Sequence, residues 1–240
     1  MRHQRVIVVL PTYNEAENVA SLVDALYGLA VRGLEVLVVD DESPDGTSDI
    51  VERLIAEGRY PGLRLLTRAG PPGRGWAGRE GFMEAILLGA DFIVEMDADF
   101  SHQPRHVPEL LAAMKDCDVA VGSRFVGGGA DQDRGLLRRL ITRLANAFAR
   151  RLLGLPVIDC NSGFRCYSRR ALERIEPETL KSRGPSIVHE VLVRALDAGL
   201  AVKEVPIEFV DRRKGDSKLS LARLAAGYWW VLRARFSKRL

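Results

Sequence analysis

The chain has 240 residues, of which 47% are hydrophobic and 28% are charged, a balance typical of a globular protein with a sizeable core. The formal net charge of +3 is too small to indicate a nucleic-acid-binding protein, so we expect no nucleic acid among its partners. Its three cysteines are an odd number without metal-ligand spacing, which disfavours a disulfide scaffold or a zinc site and favours a reducing compartment.

Apolar runs in the chain are too short for a secretory signal or a membrane span. The run VIVVL after the basic first residues is far shorter than a signal-peptide core. The longest candidate elsewhere, LAAGYWWVL, is about half of the roughly 20 apolar residues that a spanning helix needs. We therefore expect a cytoplasmic protein that meets any membrane from one side.

In the first half of the chain, apolar runs of strand length alternate with helix-period segments. Helical segments are predicted after Asn14 and after Thr47, and PRHVPELLAAMK is predicted as a helix that proline opens. Strands buried on both faces appear as continuous Val, Ile and Leu, so the pattern predicts an α/β fold with a parallel sheet and crossover helices. The predicted strands are RVIVVL, LEVLVVD, LRLLT, DFIVEMD and CDVAVGS.

The pattern changes after Arg124. GGGADQDRG is predicted as a flexible loop, and Leu136 to Leu153 as an amphipathic helix. CNSGFRCYS is predicted as a turn and short strand, PSIVHEVLVRALDAG as a helix closed by Gly199, and AVKEVPIEF as an edge strand interrupted at Pro206. DRRKGDSKLS is linker-like and divides a compact domain, 1–210, from a basic loop and C-terminal amphipathic helix, 211–240. The apolar face of the first amphipathic helix is predicted to comprise Leu137, Leu140, Ile141, Leu144, Phe148 and Leu152.

Carboxylates stand at the predicted ends of two strands. Asp97 and Asp99 follow DFIVEM, where the chain leaves the sheet and both side chains can reach one hard cation. The alternative is a solvated acidic pair. Asp40 and Asp41 end a second strand at the same edge, where ligands of parallel sheets gather, although one of them can instead cap the helix after Thr47.

The end of the first strand, PTYNE, carries groups that suit a nucleotide. The ring of Tyr13 can pack on a base and Glu15 can accept hydrogen bonds from it, but ordinary turn residues would look much the same. Asn14 can cap the following helix, and the segment from Asp45 to Thr47 reads as a turn that leads into the next one. For these residues the capping interpretation is at least as good as a ligand role.

Taken together, the quoted segments resemble a known family. PTYNE, VVDDESPDGT, MDADFSHQP, GSR, NSGFR and VPIEFVDRRKGDSKLS occur in the order and spacing of the family 2 inverting glycosyltransferases, most closely the polyprenol (dolichol) phosphate mannose synthases. The resemblance extends from Val6 to about Ser220. It implies a GT-A, Rossmann-like domain with a mixed, mainly parallel sheet flanked by helices. It also implies metal-dependent transfer of mannose from GDP-mannose to a polyprenyl phosphate, with inversion, at the cytoplasmic face of a membrane.

The resemblance also implies roles for individual residues. The positions that match guanosine contacts are Pro11, Tyr13, Glu15, Val39 and Asp41. The DXD element, which binds the diphosphate through Mg²⁺ or Mn²⁺, matches Asp97, Ala98 and Asp99. Arg124, Arg212 and Lys218 match basic residues that surround the diphosphate in the family. Arg124, Arg138 and Thr142 match residues that bind the phosphate of the lipid acceptor. The residues closest to catalysis are then Asp99, Arg124 and Arg138.

Elementary chemistry agrees with these roles. An inverting transfer must stabilise charge on the leaving diphosphate, which a metal and Arg or Lys side chains do. A lipid phosphate is already anionic near neutral pH, so it needs cations to position it and no general base. Glu190 and Asp159 are therefore left without an assigned role as a base.

Two basic, apolar segments fit a lipid substrate. The helix from Leu136 to Leu153 lies in a stretch with six arginines and no acid between positions 134 and 151. Trp229, Trp230 and Phe236 stand among basic residues near the end of the chain. Both segments suit a membrane interface, and the second equally suits a membrane-anchored partner subunit. The alternative for the first helix is ordinary packing against the core.

The sequence departs from the family pattern in two places. The segment GPPGRGWAGREGF replaces the usual glycine-leucine-glycine form, with Trp76 and Arg79 at unexpected positions. Ser101 stands where some relatives place glutamine as a metal ligand, so Ser101 or a water molecule would take the place of that ligand. A UDP-sugar donor and a non-catalytic nucleotide-sugar-binding subunit are the rival hypotheses. A dinucleotide oxidoreductase is disfavoured because no G-x-G-x-x-G follows the first strand.

Overall fold

The computed structural model describes residues 4–132, 135–210 and 229, with the backbone alone at 136–138. The predicted linker and nearly all of the predicted C-terminal helix, and with them Arg212 and Lys218, lie outside the described residues. The strands are β1 (Val6–Thr12), β2 (Leu34–Asp40), β3 (Arg64–Thr67), β4 (Phe92–Glu95), β5 (Val119–Ser123), β6 (Ala130–Gln132), β7 (Arg165–Ser168), β8 (Val202–Pro206) and β9 (Glu208–Val210). The helices are α1 (Val19–Tyr27), α2 (Thr47–Ala56), α3 (Arg74–Leu87), α4 (Val107–Ala113), α5 (Leu136–Leu153), α6 (Arg169–Ile175) and α7 (Ile187–Asp197), with short 3₁₀ turns at Pro104–His106 and Pro177–Thr179.

Seven strands form one sheet in the order β3-β2-β1-β4-β7-β5-β8. Strand β7 runs antiparallel to both of its neighbours, β4 and β5, whereas the other pairs in this sheet are parallel. The predicted α/β class with a mixed, mainly parallel sheet is confirmed. Strand β8 is an edge strand that ends at Pro206, as its interrupted sequence predicted.

A second, two-stranded sheet pairs β6 with β9 in parallel. The prediction of a flexible loop for GGGADQDRG was wrong at this point, because Ala130–Gln132 are held against Glu208–Val210. The short chain after β8 therefore folds back beside the loop that follows β5. This small sheet lies next to the end of β4, where His102 makes an isolated bridge to Phe209.

The core consists of two apolar layers, one on each face of the large sheet. Alternate residues of β1 supply both: Ile7 and Val9 join the layer with α3, α6 and α7, and Val8 and Leu10 join the layer with α1, α2 and α4. Because both faces are buried, the strand is continuously apolar. Each fully buried Val, Leu or Ile contributes about 1.5–3 kcal/mol.

Helix α3 packs through glycines, which explains its weak apolar periodicity. A Cβ at Gly81 would lie 2.4 Å from Val9 Cγ1, and a Cβ at Gly75 would lie 2.1 Å from the carbonyl oxygen of Ser182. Contacts that close are not found for real Cβ atoms, so glycine is what allows α3 to approach the sheet and the 182–183 segment. The close approach fixes the first turn of α3 beside the end of β4.

Two turns precede helices α1 and α2 at this edge of the fold. Asn14 was predicted as a possible cap, but α1 begins at Val19 with Asn18 at the N-cap position, and Asn14 instead adopts φ 62° in the preceding turn. The segment from Asp45 to Thr47 does form the predicted turn, because Asp45 Oδ1 accepts from the Thr47 hydroxyl at 2.6 Å. Among the residues of known position, no helix is long and apolar enough to cross a membrane.

Candidate active site

The carboxyl ends of β1, β2, β4 and β5 converge at one edge of the large sheet. Because β7 is antiparallel, its amino end lies at the same edge, which brings the preceding NSGF segment there as well. Of the five described non-glycine residues with positive φ, three follow these strand ends: Asn14, Glu42 and Phe100. Strained backbone of this kind costs on the order of 1–3 kcal/mol per residue and is concentrated at functional sites.

The DADFSH segment after β4 is fixed by hydrogen bonds from its own backbone. Asp99 is 8% exposed, and its Oδ1 accepts from the Ser101 backbone N–H at 3.0 Å. The Asp97 N–H donates to Nδ1 of His102 at 2.9 Å, so that nitrogen is the unprotonated one. The Asp97 side chain is 30% exposed and faces the site edge. Hydrogen bonds therefore fix the backbone around the predicted acidic pair, Asp97 and Asp99, and the pair is partly open to solvent.

Arg74, the first residue of α3, was not predicted to belong to the site. Its Nε and Nη2 donate to Asp97 Oδ1 at 3.1 and 2.8 Å, and its Nη1 donates to Glu95 Oε1 at 2.9 Å. Burial alone would lower the pKa of Arg74, but the charges of Asp97 and Glu95 more than offset that effect and raise it. The side chain therefore remains a cation that joins the two carboxylates.

His102 lies at the centre of the charged groups of the site. Its ring stacks on Phe164, with centroids 5.1 Å apart, and meets Phe209 edge-on at 5.8 Å. Burial lowers the pKa of His102 and nearby arginines lower it further, whereas the carboxylates of Asp97 and Asp99 act to raise it. We conclude that His102 is a neutral, aromatic support for the acidic segment. The charges that act on it are those of Asp97, Asp99, Arg74 and Arg124.

Arg124, at the end of β5, forms a buried ion pair with Asp159. Its Nε and Nη2 donate to the two carboxylate oxygens at 2.7 Å each, and its backbone N–H donates at 3.1 Å. The two side chains are 8% and 0% exposed. Burial opposes the charged form, but the bonds to Asp159 prevail and raise the pKa of Arg124. The guanidinium also lies 4.8 Å from the ring centroid of Phe209.

The predicted nucleotide contacts lie at the ends of β1 and β2. Asp41 is buried and pairs with Arg68, and its Oδ2 accepts from the Gly73 N–H at 2.6 Å. Glu15 accepts from Asn18 Nδ2 at 2.9 Å. These acids are held in place by neighbours that also belong to the edge. Tyr13 is exposed and Pro11 is half-buried, whereas Val39 and Ala98 are buried.

Asp40 has a structural role in the same edge. It accepts from the Thr12 hydroxyl at 2.7 Å and from the Ser48 hydroxyl at 2.8 Å. Since Thr12 ends β1 and Ser48 lies in the first turn of α2, Asp40 ties a strand end to a helix start. Asp40 does not cap that helix as predicted, because its contact with α2 is a hydrogen bond to the Ser48 side chain, and the Thr47 N–H donates instead to Asp45 Oδ1 at 3.1 Å.

Helix α5 carries the two residues that were predicted to meet the acceptor phosphate, Arg138 and Thr142, one turn apart. The backbone of both is helical, and Thr142 is half-buried with its carbonyl oxygen accepting from Asn146. Asn146 also reaches Asp159 at 3.3 Å, so α5 is connected to the Arg124 pair. Much of the predicted apolar face of α5 is exposed to solvent, namely Leu140, Ile141, Leu144 and Phe148.

The acidic segment fits a divalent cation only in part. Carboxylate oxygens are the ligands that Mg²⁺ and Mn²⁺ prefer, and Asp97 and Asp99 present them. In the part of the chain that the structure describes, no cluster of three or more His, Cys, Asp or Glu side chains is arranged to hold a metal. An ion held by two carboxylates completes its shell with water and substrate phosphate oxygens. Ser101 is buried and supports Asp99 through its backbone, and its role as a ligand stays a prediction.

Comparison with known proteins now identifies the family. The model of glycosyl transferase family 2 matches residues 7–176, which include every strand end that forms the site. The chain belongs to glycosyl transferase family 2. The sequence-based resemblance to this family is confirmed.

Two curated relatives cover nearly the whole family 2 chain. The undecaprenyl-phosphate mannosyltransferase of Micrococcus luteus is 38% identical over 216 residues, which are 90% of this chain and 88% of the relative. The polyprenol monophosphomannose synthase of Mycolicibacterium smegmatis is 35% identical over 240 residues, 98% of this chain and 90% of the relative.

Solved structures with the same fold include glucosyl-3-phosphoglycerate synthase from Mycobacterium tuberculosis in complex with Mn²⁺, UDP and glucosyl-3-phosphoglycerate. It is 23% identical, with a TM-score of 0.67 over 98% of this chain and 79% of that one. A complex of the same enzyme with Mg²⁺ and UDP gives a TM-score of 0.67 at 22% identity, with the same coverage. At this identity the likeness establishes the fold of the family 2 chain and nothing finer.

The departures from the family pattern are now located in the structure. Trp76 and Arg79 lie on α3 and stack together, with the Arg79 guanidinium 4.7 Å from the indole centroid and that of Arg183 5.8 Å from it. The same segment supplies Arg74, which sequence reasoning missed. One available signal was an arginine between two glycines, but its partners Glu95 and Asp97 are identifiable only once β4 and α3 are placed together.

Proposed function

We propose that this family 2 glycosyltransferase transfers mannose from GDP-mannose to a polyprenyl phosphate, with inversion, at the cytoplasmic face of a membrane. The observation that carries the proposal is the similarity to the two mannosyl-transferring relatives, at 38% and 35% identity over at least 88% of each. The acidic pair Asp97 and Asp99 also supports the proposal, since it lies at the carboxyl ends of the strands, where α/β sheets bind ligands such as the diphosphate of a sugar nucleotide.

In the proposed reaction an oxygen of the lipid phosphate attacks the anomeric carbon while the bond from that carbon to the diphosphate breaks on the opposite face. The diphosphate leaves with its electron pair, and no proton has to be removed from the phosphate nucleophile. A bound Mg²⁺ or Mn²⁺ would neutralise charge on the leaving group. Asp97 and Asp99 are the residues that would hold that ion.

The described acids near the site support a mechanism without a general base. Asp159 is paired with Arg124 through two hydrogen bonds of 2.7 Å. Glu190 is fully buried and accepts from the Ser182 N–H at 2.8 Å and from Arg194 at 3.1 Å. Both carboxylates are therefore occupied with structural cations or backbone donors. An anionic acceptor, positioned by arginines, fits this arrangement better than a neutral alcohol would.

Donor recognition is assigned to the ends of β1 and β2. Tyr13 offers an exposed ring for stacking on guanine, and Glu15 and Asp41 are acceptors for base and ribose donors. Pro11 and Val39, paired across β1 and β2, would line the pocket. Arg124, Arg138 and Thr142 are proposed to receive the acceptor phosphate. Arg212 and Lys218, outside the described residues, are proposed to cover the diphosphate.

Helix α5 is the proposed contact with the lipid surface. Four large apolar side chains on it are 41–61% exposed, in a stretch rich in arginine. Water contact with so much apolar surface is unfavourable, whereas a bilayer interface accepts the apolar groups and attracts the arginines through anionic headgroups. This arrangement would bring the membrane close to the proposed phosphate site at Arg138 and Thr142.

A transfer assay tests the proposed chemistry. Purified protein would be incubated with polyprenyl phosphate, Mg²⁺ or Mn²⁺ and radiolabelled GDP-mannose, with UDP-glucose and a UDP-amino sugar as parallel donors. We expect β-linked mannosyl phospholipid from GDP-mannose only, and loss of product in D99N. The matched control D116N neutralises an exposed aspartate that is paired with Lys203, and it should retain activity. Turnover with a UDP-sugar in place of GDP-mannose would refute the donor, and full activity of D99N would favour a non-catalytic role for this site.

Flotation with liposomes that contain anionic lipid tests the membrane contact. L144E should shift protein to the unbound fraction, whereas L87E, at an exposed leucine of α3, should not. A chain truncated before residue 221 shows what the C-terminal segment adds. Equal flotation of L144E and wild type would refute the role of α5.

A further inference from the structure

The Arg74 guanidinium bridges two carboxylates of unequal exposure. Its Nη1 donates to Glu95 at 2.9 Å, and its Nε and Nη2 donate to the same oxygen of Asp97, Oδ1, at 3.1 and 2.8 Å. Glu95 is 1% exposed and also accepts from the Tyr167 hydroxyl at 3.3 Å, whereas the Asp97 side chain is 30% exposed. A buried carboxylate needs its cation far more than a solvated one does. Glu95 therefore anchors the guanidinium, and Asp97 is its exchangeable partner.

Gly163 provides the space that the guanidinium occupies. A Cβ at this position would lie 2.4 Å from Arg74 Nη2 and 3.2 Å from Cζ. The backbone of Gly163 is not in the left-handed region, so the residue is required for space and not for its conformational freedom. The antiparallel direction of β7 places this glycine at the end of β4. Two segments distant in sequence, the end of β4 and the chain that leads into β7, thus form one cradle for the side chain of Arg74.

We propose that Arg74 is an internal counter-cation of Asp97 that competes with a free divalent ion and makes ion binding depend on a nucleoside diphosphate. The inference rests on the proposed metal site at Asp97 and Asp99. A unit positive charge within 3 Å of Asp97 Oδ1 repels an incoming Mn²⁺ or Mg²⁺ and holds one of the oxygens that it needs. A diphosphate adds negative charge and further oxygen ligands, which offset that repulsion. Arg74 is thus a positioning residue for Asp97, and the ion enters together with the donor.

Mn²⁺ binding, followed by electron paramagnetic resonance of the free ion, tests the proposal without turnover. Titrations would be run with and without GDP, and with UDP in parallel, on wild type, R74Q, G163A and R59Q. In R74Q we expect at least five-fold tighter binding of Mn²⁺ alone and a smaller gain on addition of GDP. G163A should change both quantities in the same direction, since it keeps the arginine but displaces its tip. R59Q neutralises an exposed arginine that is paired with Asp24 and should match wild type.

The outcomes separate this inference from the proposed function. If wild type binds Mn²⁺ with a nucleotide but R74Q and G163A show unchanged or weaker binding of Mn²⁺ alone, the competition is refuted and the metal site stands. If wild type binds no Mn²⁺ under either condition, both fail. Thermal unfolding without Mn²⁺ shows whether each variant is folded, and G163A decides the matter should R74Q not fold.

Discussion

Neutralisation of Asp159 should destabilise the whole domain, because it would leave Arg124 as a buried cation with half of its partner removed. In D159N one carboxylate oxygen becomes an NH₂ group that faces an arginine N–H donor. Hydrogen bonds to charged groups contribute about 1.5–3 kcal/mol each, and breaking a buried pair costs about 3–5 kcal/mol. We expect a loss near the upper part of that range, since the two side chains are 8% and 0% exposed and the backbone N–H of Arg124 uses the same carboxylate.

Equilibrium urea unfolding provides the measurement. With a denaturant slope of about 2–3 kcal/mol per M, a loss of 3–5 kcal/mol lowers the midpoint by about 1–2 M. D116N is the matched control, because Asp116 and Lys203 are 69% and 51% exposed and such pairs contribute about 0–1 kcal/mol. The double variant R124M/D159L should recover much of the stability, since apolar replacement of both partners removes the unpaired charge. A midpoint shift of D159N no larger than that of D116N would refute the reasoning.

Three further predictions concern the core. G81A should lower the thermal midpoint, because a Cβ 2.4 Å from Val9 Cγ1 overpacks the sheet by about 1–3 kcal/mol, more than the gain in helix propensity of about 1 kcal/mol. Burial lowers the pKa of His189 from 6.5 to about 3, so below pH 6.5 the unfolded chain binds a proton that the folded chain does not, and the free energy of unfolding decreases as the pH is lowered. In urea titrations between pH 7 and pH 4, the free energy of unfolding of H189N should decrease less steeply than that of wild type. An equal slope would contradict the assignment. Burial raises the thiol pKa of all three cysteines, and Cys117 is the least buried of them. A thiol-reactive dye should therefore label Cys117 first and the other two only after unfolding. Simultaneous labelling of all three in the native protein would contradict this difference in burial.

The sheet edge that carries the site was predictable because its strands are buried on both faces. Continuous apolar runs identified β1, β2, β4 and β5, and the rule for parallel sheets then placed the polar groups that follow them at one edge. Asp97 and Asp99 came from this reasoning and lie where it put them. Pro206 likewise marked the end of an edge strand, because proline cannot donate a ladder hydrogen bond.

Helix α3 was not predicted, for a physical reason. Its buried face is made of glycine and alanine, with only Phe82 as a large apolar residue, so it lacks the periodic Leu, Ile and Val that signal a helix. The small residues are what bring its backbone close to β1. Since Arg74 begins this helix, the same feature that hid α3 also hid the arginine of the site. The short strand β6 escaped detection similarly, because three residues of the loop GGGADQDRG pair with a segment about 78 positions away.

Two ion pairs of the site edge, Arg124 with Asp159 and Arg74 with Asp97, differ in whether the carboxylate can exchange its partner. Arg124 and Asp159 are 8% and 0% exposed and share two hydrogen bonds of 2.7 Å, so separating them would leave both charges buried. Arg74 and Asp97 are 21% and 30% exposed, and Arg74 retains Glu95 when Asp97 is withdrawn. The cost of exchange is therefore small for Asp97 and large for Asp159. An incoming cation can replace a guanidinium at the first carboxylate and not at the second, so of these two carboxylates only Asp97 belongs to the proposed metal site.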